Sequence, residues 1–180
     1  FYTHYRKSGI EILAVAIDFQ GADKARPYVE QAYATYPNAV DSENLLSDVF
    51  GFRAIPNAVF VDEAGIIRYI KFGGFDIRMP ADRVVAEGFA ESPDISDLET
   101  RSERGYTFSH EEALAHYQEG MTHYKSGDIQ AALAAWRKCV DLVPENWIVR
   151  KQIWAIENPE KFYEGMVDFD WQKEQIASGR

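Results

Sequence analysis

Few residues in this chain have the type and spacing for chemistry. The 180 residues hold one cysteine, Cys139, and four histidines. A single thiol forms neither an intramolecular disulfide nor a CxxC pair. His116 and His123 lie seven apart, and Glu112 and Glu119 each precede one of them by four. On a helix that places imidazoles and carboxylates on one face, a set that can bind a divalent metal. The same spacing is also ordinary for solvent-facing helical pairs, and that is the reading adopted. Asp18, Asp41 and Asp62 each follow an apolar run. Carboxylates at strand ends serve as general bases, but more simply they cap turns. No nucleophile–base triad, glycine-rich phosphate loop or zinc cysteine set occurs. No cofactor and no metal are expected.

The elements that would position these groups are organised around Phe50–Phe72. Pro56 lacks an N–H and has a fixed φ, so it marks the start of a strand rather than its interior. Ala58–Val61 is a short apolar strand, Glu63-Ala64-Gly65 a turn, and Ile66–Phe72 a second strand. The result is a β-hairpin entered through Ile55-Pro56. Upstream, Phe1–Lys7 reads as the last turns of a helix with a stop at Gly9. Ile10–Asp18 is a continuous apolar run, as in a buried parallel strand. Lys24–Tyr36 fits an amphipathic helix with Ala25, Tyr28, Val29, Ala32 and Tyr33 on one face and Pro27 in its first turn. Asn38–Asp41 is a brief extended piece. Glu43–Phe50 is a short helix with Leu45, Leu46 and Val49 inward. Met79–Ala90 is a further helix with Val84, Val85 and Phe89 as its apolar residues. This alternation is of the α/β class.

From Glu91 to Phe108 the composition turns polar, as in a linker. Ser109 then resembles an N-cap before acidic residues of a first helical turn. Ala113–Lys125 and Ile129–Val143 form two helices joined at Ser126-Gly127-Asp128, which makes an antiparallel hairpin. Trp147–Ile156 is a third helix. Trp147, Trp154, Phe162, Tyr163, Phe169 and Trp171 make an aromatic C-terminal region, either packed as a core or lining a peptide groove. The expected domains are therefore 1–90, a linker at 91–108, and a helical region at 109–180. A net charge of −10 opposes nucleic acid and anionic membranes as partners. No apolar run approaches the roughly 20 residues of a membrane span. The first residue is not Met and already looks helical, so the sequence is expected to continue a longer chain.

Two resemblances follow. Gly9–Asp18, Val40-Asp41, Val49–Phe52, Ile55–Asp62 and Glu63–Ile67, in that order, resemble the TlpA-type, or redoxin, branch of the thioredoxin superfamily. Gly120, Gly127, Ala132, Trp136, Cys139 and Pro144 fall at positions 8, 15, 20, 24, 27 and 32 of a 34-residue pattern and resemble a tetratricopeptide repeat. His123 stands where that repeat more often has an aromatic. Cys139 then occupies a small core position and is expected to be a buried structural thiol. The fold class expected is α/β, a thioredoxin-like sheet lacking its first strand and CxxC, plus a small all-α helical domain.

The first resemblance implies a cis proline at Pro56 beside a redox CxxC, with Ile55, Pro56 and Asn57 lining a groove for an extended substrate chain. Relatives often have Thr where this chain has Asn57. It also implies that the dithiol and the neighbouring strand lie upstream of Phe1, which leaves the strands at Ile12–Ile17 and Ala58–Val61 each with an unpaired edge. The implied activity is thiol–disulfide exchange on a protein or peptide substrate, with a protein partner docked on the repeat. Members of that family are often extracytoplasmic. The alternative is a redox-inactive module that uses both parts to bind protein.

Overall fold

A computed structural model of the chain describes residues 1–91 and 111–179. Of the expected linker at 91–108, residues 92–108 lie outside the described residues, as does the N-cap at Ser109. The chain divides into two compact units, Phe1–Thr107 and Phe108–Arg180. Helices and small sheets make up the first, and the described part of the second is helical.

In the first unit, α1 (Tyr2–Tyr5) continues into a 3-10 turn, Arg6–Ser8, that ends at Gly9 with φ +85°. Strand β1 (Ala14–Ile17) pairs in parallel with β2 (Asn38–Asp41), Ala14 opposite Asn38 and Ile17 opposite Asp41. Between them runs α2 (Ala22–Gln31). This helix starts two residues earlier than its apolar pattern suggests, so Pro27 lies inside it rather than in its first turn. It also ends earlier: Tyr33 takes φ +49° and is 88% exposed instead of sharing the buried face. Strand β3 (Ala58–Val61) pairs antiparallel with β4 (Ile67–Lys71), with an irregularity between Phe60 and Val61. Gly65 has φ +79° in the connecting turn. Asp62 builds that turn, accepting from the N–H groups of Ala64 and Ile66 and from Arg68 Nε. The strands form two separate two-stranded sheets among the described residues, β1–β2 and β3–β4.

Helix α3 (Leu45–Phe50) departs from its expected orientation. Leu45 is 58% and Val49 70% exposed, whereas the polar Asn44 and Ser47 are buried. The reason is local. The Asp41 carboxylate accepts from the N–H groups of both Leu45 and Leu46, and Asn44 Oδ1 accepts from Ser47 Oγ. These bonds fix the start of the helix with its polar side inward. Helix α4 (Pro80–Glu91) buries Asp82 and Ala86 and stacks Phe89 edge-on against Phe60 of β3, while Val84 faces solvent.

The second unit begins with α5 (Glu111–Lys125) and α6 (Ile129–Leu142), packed as a hairpin around Gly127 with φ +86°. Helix α7 (Trp147–Glu157) packs on α6, and α8 (Phe169–Ala177) follows a 3-10 turn at Pro159–Lys161. The last three helices start alike: Asp128, Asn146 and Asp168 each accept from the backbone N–H three residues on. The core is dense, with Ala113, Ala132, Trp136, Cys139 and Val149 wholly buried.

Candidate functional site

The residues expected to line a groove in the first unit lie on the segment between α3 and β3. The Ile55-Pro56 peptide bond is cis. Ile55 is 43% exposed and Pro56 is also exposed. Asn57 is committed to the fold. Its Nδ2 donates to the carbonyl of Ala54 at 2.6 Å, and its Oδ1 accepts from the N–H of Gly73 at 2.9 Å. The side chain thus fastens the segment that leads into β3 to the end of β4. What remains outward is the apolar surface of Ile55 and Pro56 with its backbone. Among the described residues β3 pairs with β4 alone, so its second edge carries no strand.

The strand-end carboxylates are engaged in backbone caps. Asp18 Oδ1 accepts from the N–H of Gln20 at 2.9 Å. Asp41 caps α3, and Asp62 holds the β3–β4 turn. The hydrogen bonds at Asp62, first that from Ile66, hold its carboxyl below the ordinary aspartate range. Buried Asp82 accepts from Lys71 Nζ and from the N–H of Asp76, joining α4 to β4 and to the loop before it.

In the second unit Glu119 bridges both histidines, rather than each histidine meeting the glutamate four residues before it. Its carboxylate lies 3.1 Å from His116 Nδ1 and 4.0 Å from His123 Nε2. No group of three or more His, Cys, Asp or Glu that could hold a metal ion is present among the described residues. Cys139 is wholly buried, and desolvation pushes its thiol up to about 12. It carries negligible thiolate at neutral pH, as a buried structural thiol does.

Close approach at Gly120 builds the helical hairpin. The Trp136 indole lies against that glycine and donates from Nε1 to the carbonyl of Tyr117 at 3.2 Å. Of the C-terminal aromatics, three come together. The Trp154 and Trp171 rings meet edge-on at 5.7 Å, and Phe162 meets Trp171 at 6.1 Å. Tyr163 lies beside Phe162, while Phe169 points outward and is 61% exposed. The ring of Trp147 lies under the Arg150 guanidinium, 5.2 Å away. Arg150 and Arg137 carry no motif in the sequence, and only the three-residue step from Trp147 to Arg150 hints at the stacking.

A family model described as Tetratricopeptide repeat matches residues 113–146, the hairpin built on Gly120 and Trp136 together with the turn into α7. No curated protein and no solved structure matches the chain. The repeat points to a protein-interaction module with protein partners. No helix among the described residues is long and apolar enough to cross a membrane.

Proposed function

We propose that the chain is a protein-binding module. A helical region at 109–180 docks a partner, an α/β domain at 1–90 presents Ile55, Pro56 and Asn57 to an extended segment, and 91–108 joins them. The repeat match over 113–146 carries this reading. Helical repeats pack neighbours through one face and leave the other for partners. Two features support the role of the loop. Ile55 offers exposed apolar surface, and the two hydrogen bonds of Asn57 hold the loop in place before any ligand arrives. The open edge of β3 offers backbone donors and acceptors to an added strand.

Peptide selection on the 180-residue protein tests this. Random dodecapeptides displayed on phage are expected to yield binders that Ile55→Asp weakens at least tenfold. Tyr33→Asp, at a highly exposed position of the same unit, should leave them unchanged. Equal binding by both variants would remove Ile55 from the site.

The second reading is a thiol–disulfide oxidoreductase with a thioredoxin-like sheet. It is favoured by the parallel β1–β2 pair and the antiparallel β3–β4 hairpin in the order of the resembled family, with Pro56 just before β3. A thiolate would attack the substrate disulfide to form a mixed disulfide, and a second thiol would then release the reduced substrate. Cys139 supplies neither thiol. The 180 residues alone are therefore expected to reduce no insulin disulfide above the dithiothreitol background. Reduction that Cys139→Ala abolishes would overturn this assignment of thiols.

A further inference from the structure

Helix α7 continues the repeat with one change. Trp154 stands one repeat length, 34 residues, after Gly120. At Gly120 the missing side chain lets the Trp136 ring of α6 lie directly on the α5 backbone. At 154 the place of that glycine is taken by an indole, and α8 meets α7 through the edge of Trp171 on Trp154. A cleft of about 650 Å³ opens between α6, α7 and α8.

The charges lining this cleft are Arg137, Asp141, Arg150 and Glu157. Arg137 and Glu157 form an ion pair with each other. Arg150 has no ion pair among the described residues. Its Nη2 donates to the Pro144 carbonyl at 3.1 Å, its face covers Trp147, and its Nε is buried without a hydrogen-bond partner. The rest of this half-buried guanidinium forms no ion pair and can donate a charge-assisted hydrogen bond to a bound carboxylate. Beside it, Trp154 and Trp171 supply the aromatic wall that anchors apolar side chains at protein interfaces.

We propose that this cleft docks a partner peptide carrying one carboxylate side chain next to an apolar one. The carboxylate sits on Arg150 and the apolar side chain on Trp154 and Trp171. Charge complementarity selects this occupant, because Arg150 is the cation of the lining that forms no ion pair among the described residues. Asp141 on α6 repels a second carboxylate, so the site selects a single acidic residue rather than an acidic run. The inference rests on the helical unit being a docking surface and names the chemistry of what docks.

Three fluorescein-labelled peptides test it by anisotropy on the full 180-residue chain. They are capped Gly-Ser-Leu-Glu-Leu-Ser-Gly, the same peptide with Gln for Glu, and a version with three consecutive Glu. The single-Glu peptide is expected to bind at least about tenfold more tightly than the Gln peptide, as a charge-assisted hydrogen bond provides. It should also bind more tightly than the triple-Glu peptide. Arg150→Gln should equalise the Glu and Gln peptides, whereas Arg150→Lys should retain part of the preference. Trp171→Ala should weaken both without changing their ratio. Equal binding of the Glu and Gln peptides to the unmodified protein, no binding of any, or a preference that persists in Arg150→Gln overturns the proposal. If Arg150→Gln does not fold, the peptide ratio on the unmodified protein and on Arg150→Lys decides. Phage-selected peptides that still bind and still respond to Ile55→Asp would leave the loop standing while the cleft falls. Failure of both would sink the binding module itself.

Discussion

A Cβ placed on Gly120 would lie 2.3 Å from Nε1 of Trp136 and 2.4 Å from its Cδ1, so the largest side chain of α6 occupies the space left by the smallest residue of α5. Gly120→Ala forces the two helices apart or turns the indole out of a wholly buried site. Such overpacking costs about 1–3 kcal/mol, more than the helix propensity of alanine returns. A urea titration of the 180-residue chain should show that loss. Gly88→Ala on α4 is the control, because its Cβ would meet nothing within 4 Å. It should be neutral or stabilising by up to about 1 kcal/mol.

Cys139 gives the protein an alkaline limit. Its thiol is pushed from an ordinary value of 9.0 up to about 12 by burial. Folding therefore favours the protonated form. The stabilisation is complete below the unfolded pKa and falls as pH rises from there through the folded value. Cys139→Ala should flatten the decline in melting temperature on this alkaline limb. In the native protein the thiol should not react with iodoacetamide at pH 8, and it should react at once in denaturant. Rapid native labelling would contradict the burial.

The carboxyl of Asp82 is held below the ordinary aspartate range, first by the Asp76 N–H and then by the Lys71 ammonium. Asp76 itself is lowered to about 2, chiefly by its hydrogen bonds with Arg78. For a depressed carboxylate the sign is opposite to that of Cys139. The stabilisation is present above the unfolded pKa of about 4 and disappears as pH falls through the folded value. Asp82→Asn should lower the melting temperature of the α/β unit at pH 7 by at least roughly 4–8 °C, the shift that about 1 kcal/mol gives a domain of this size. It should also reduce the acid dependence of that melt. An unchanged acid limb would show that the ion pair contributes nothing.

Helix α3 should respond to mutation in the reverse of the usual order. Leu45→Ser and Val49→Ser remove side chains that face water and should change stability by no more than about 0.5 kcal/mol. Ser47→Ala deprives buried Asn44 Oδ1 of its donor and should cost about 1–3 kcal/mol. Chemical denaturation of the three variants under identical conditions distinguishes this arrangement from an apolar face turned inward.

The helical hairpin was legible because every signal for it is local. The apolar period of 3.6, the small residues at 120 and 132, and the break at Ser126-Gly127-Asp128 all lie within a turn or two of what they control. The β3–β4 hairpin was legible for the same reason, since Asp62 and Gly65 act on their own turn. Helix α3 was not. Its apolar spacing reads inward, but Asp41 at the end of β2 takes its first N–H groups and sets which side faces in. Tyr33 fits the helical period of α2 but lies beyond the helix end, where φ turns positive. The role of Asn57 depended on Gly73, sixteen residues away. The isolation of Arg150 depended on what stands around it in three dimensions, and no spacing in the sequence encodes that.

The Gly120–Trp136 contact lies wholly within residues 113–146. A tandem copy of that stretch would therefore bring its own glycine and its own indole. Duplication would copy, along with the two helices, the contact that holds them together.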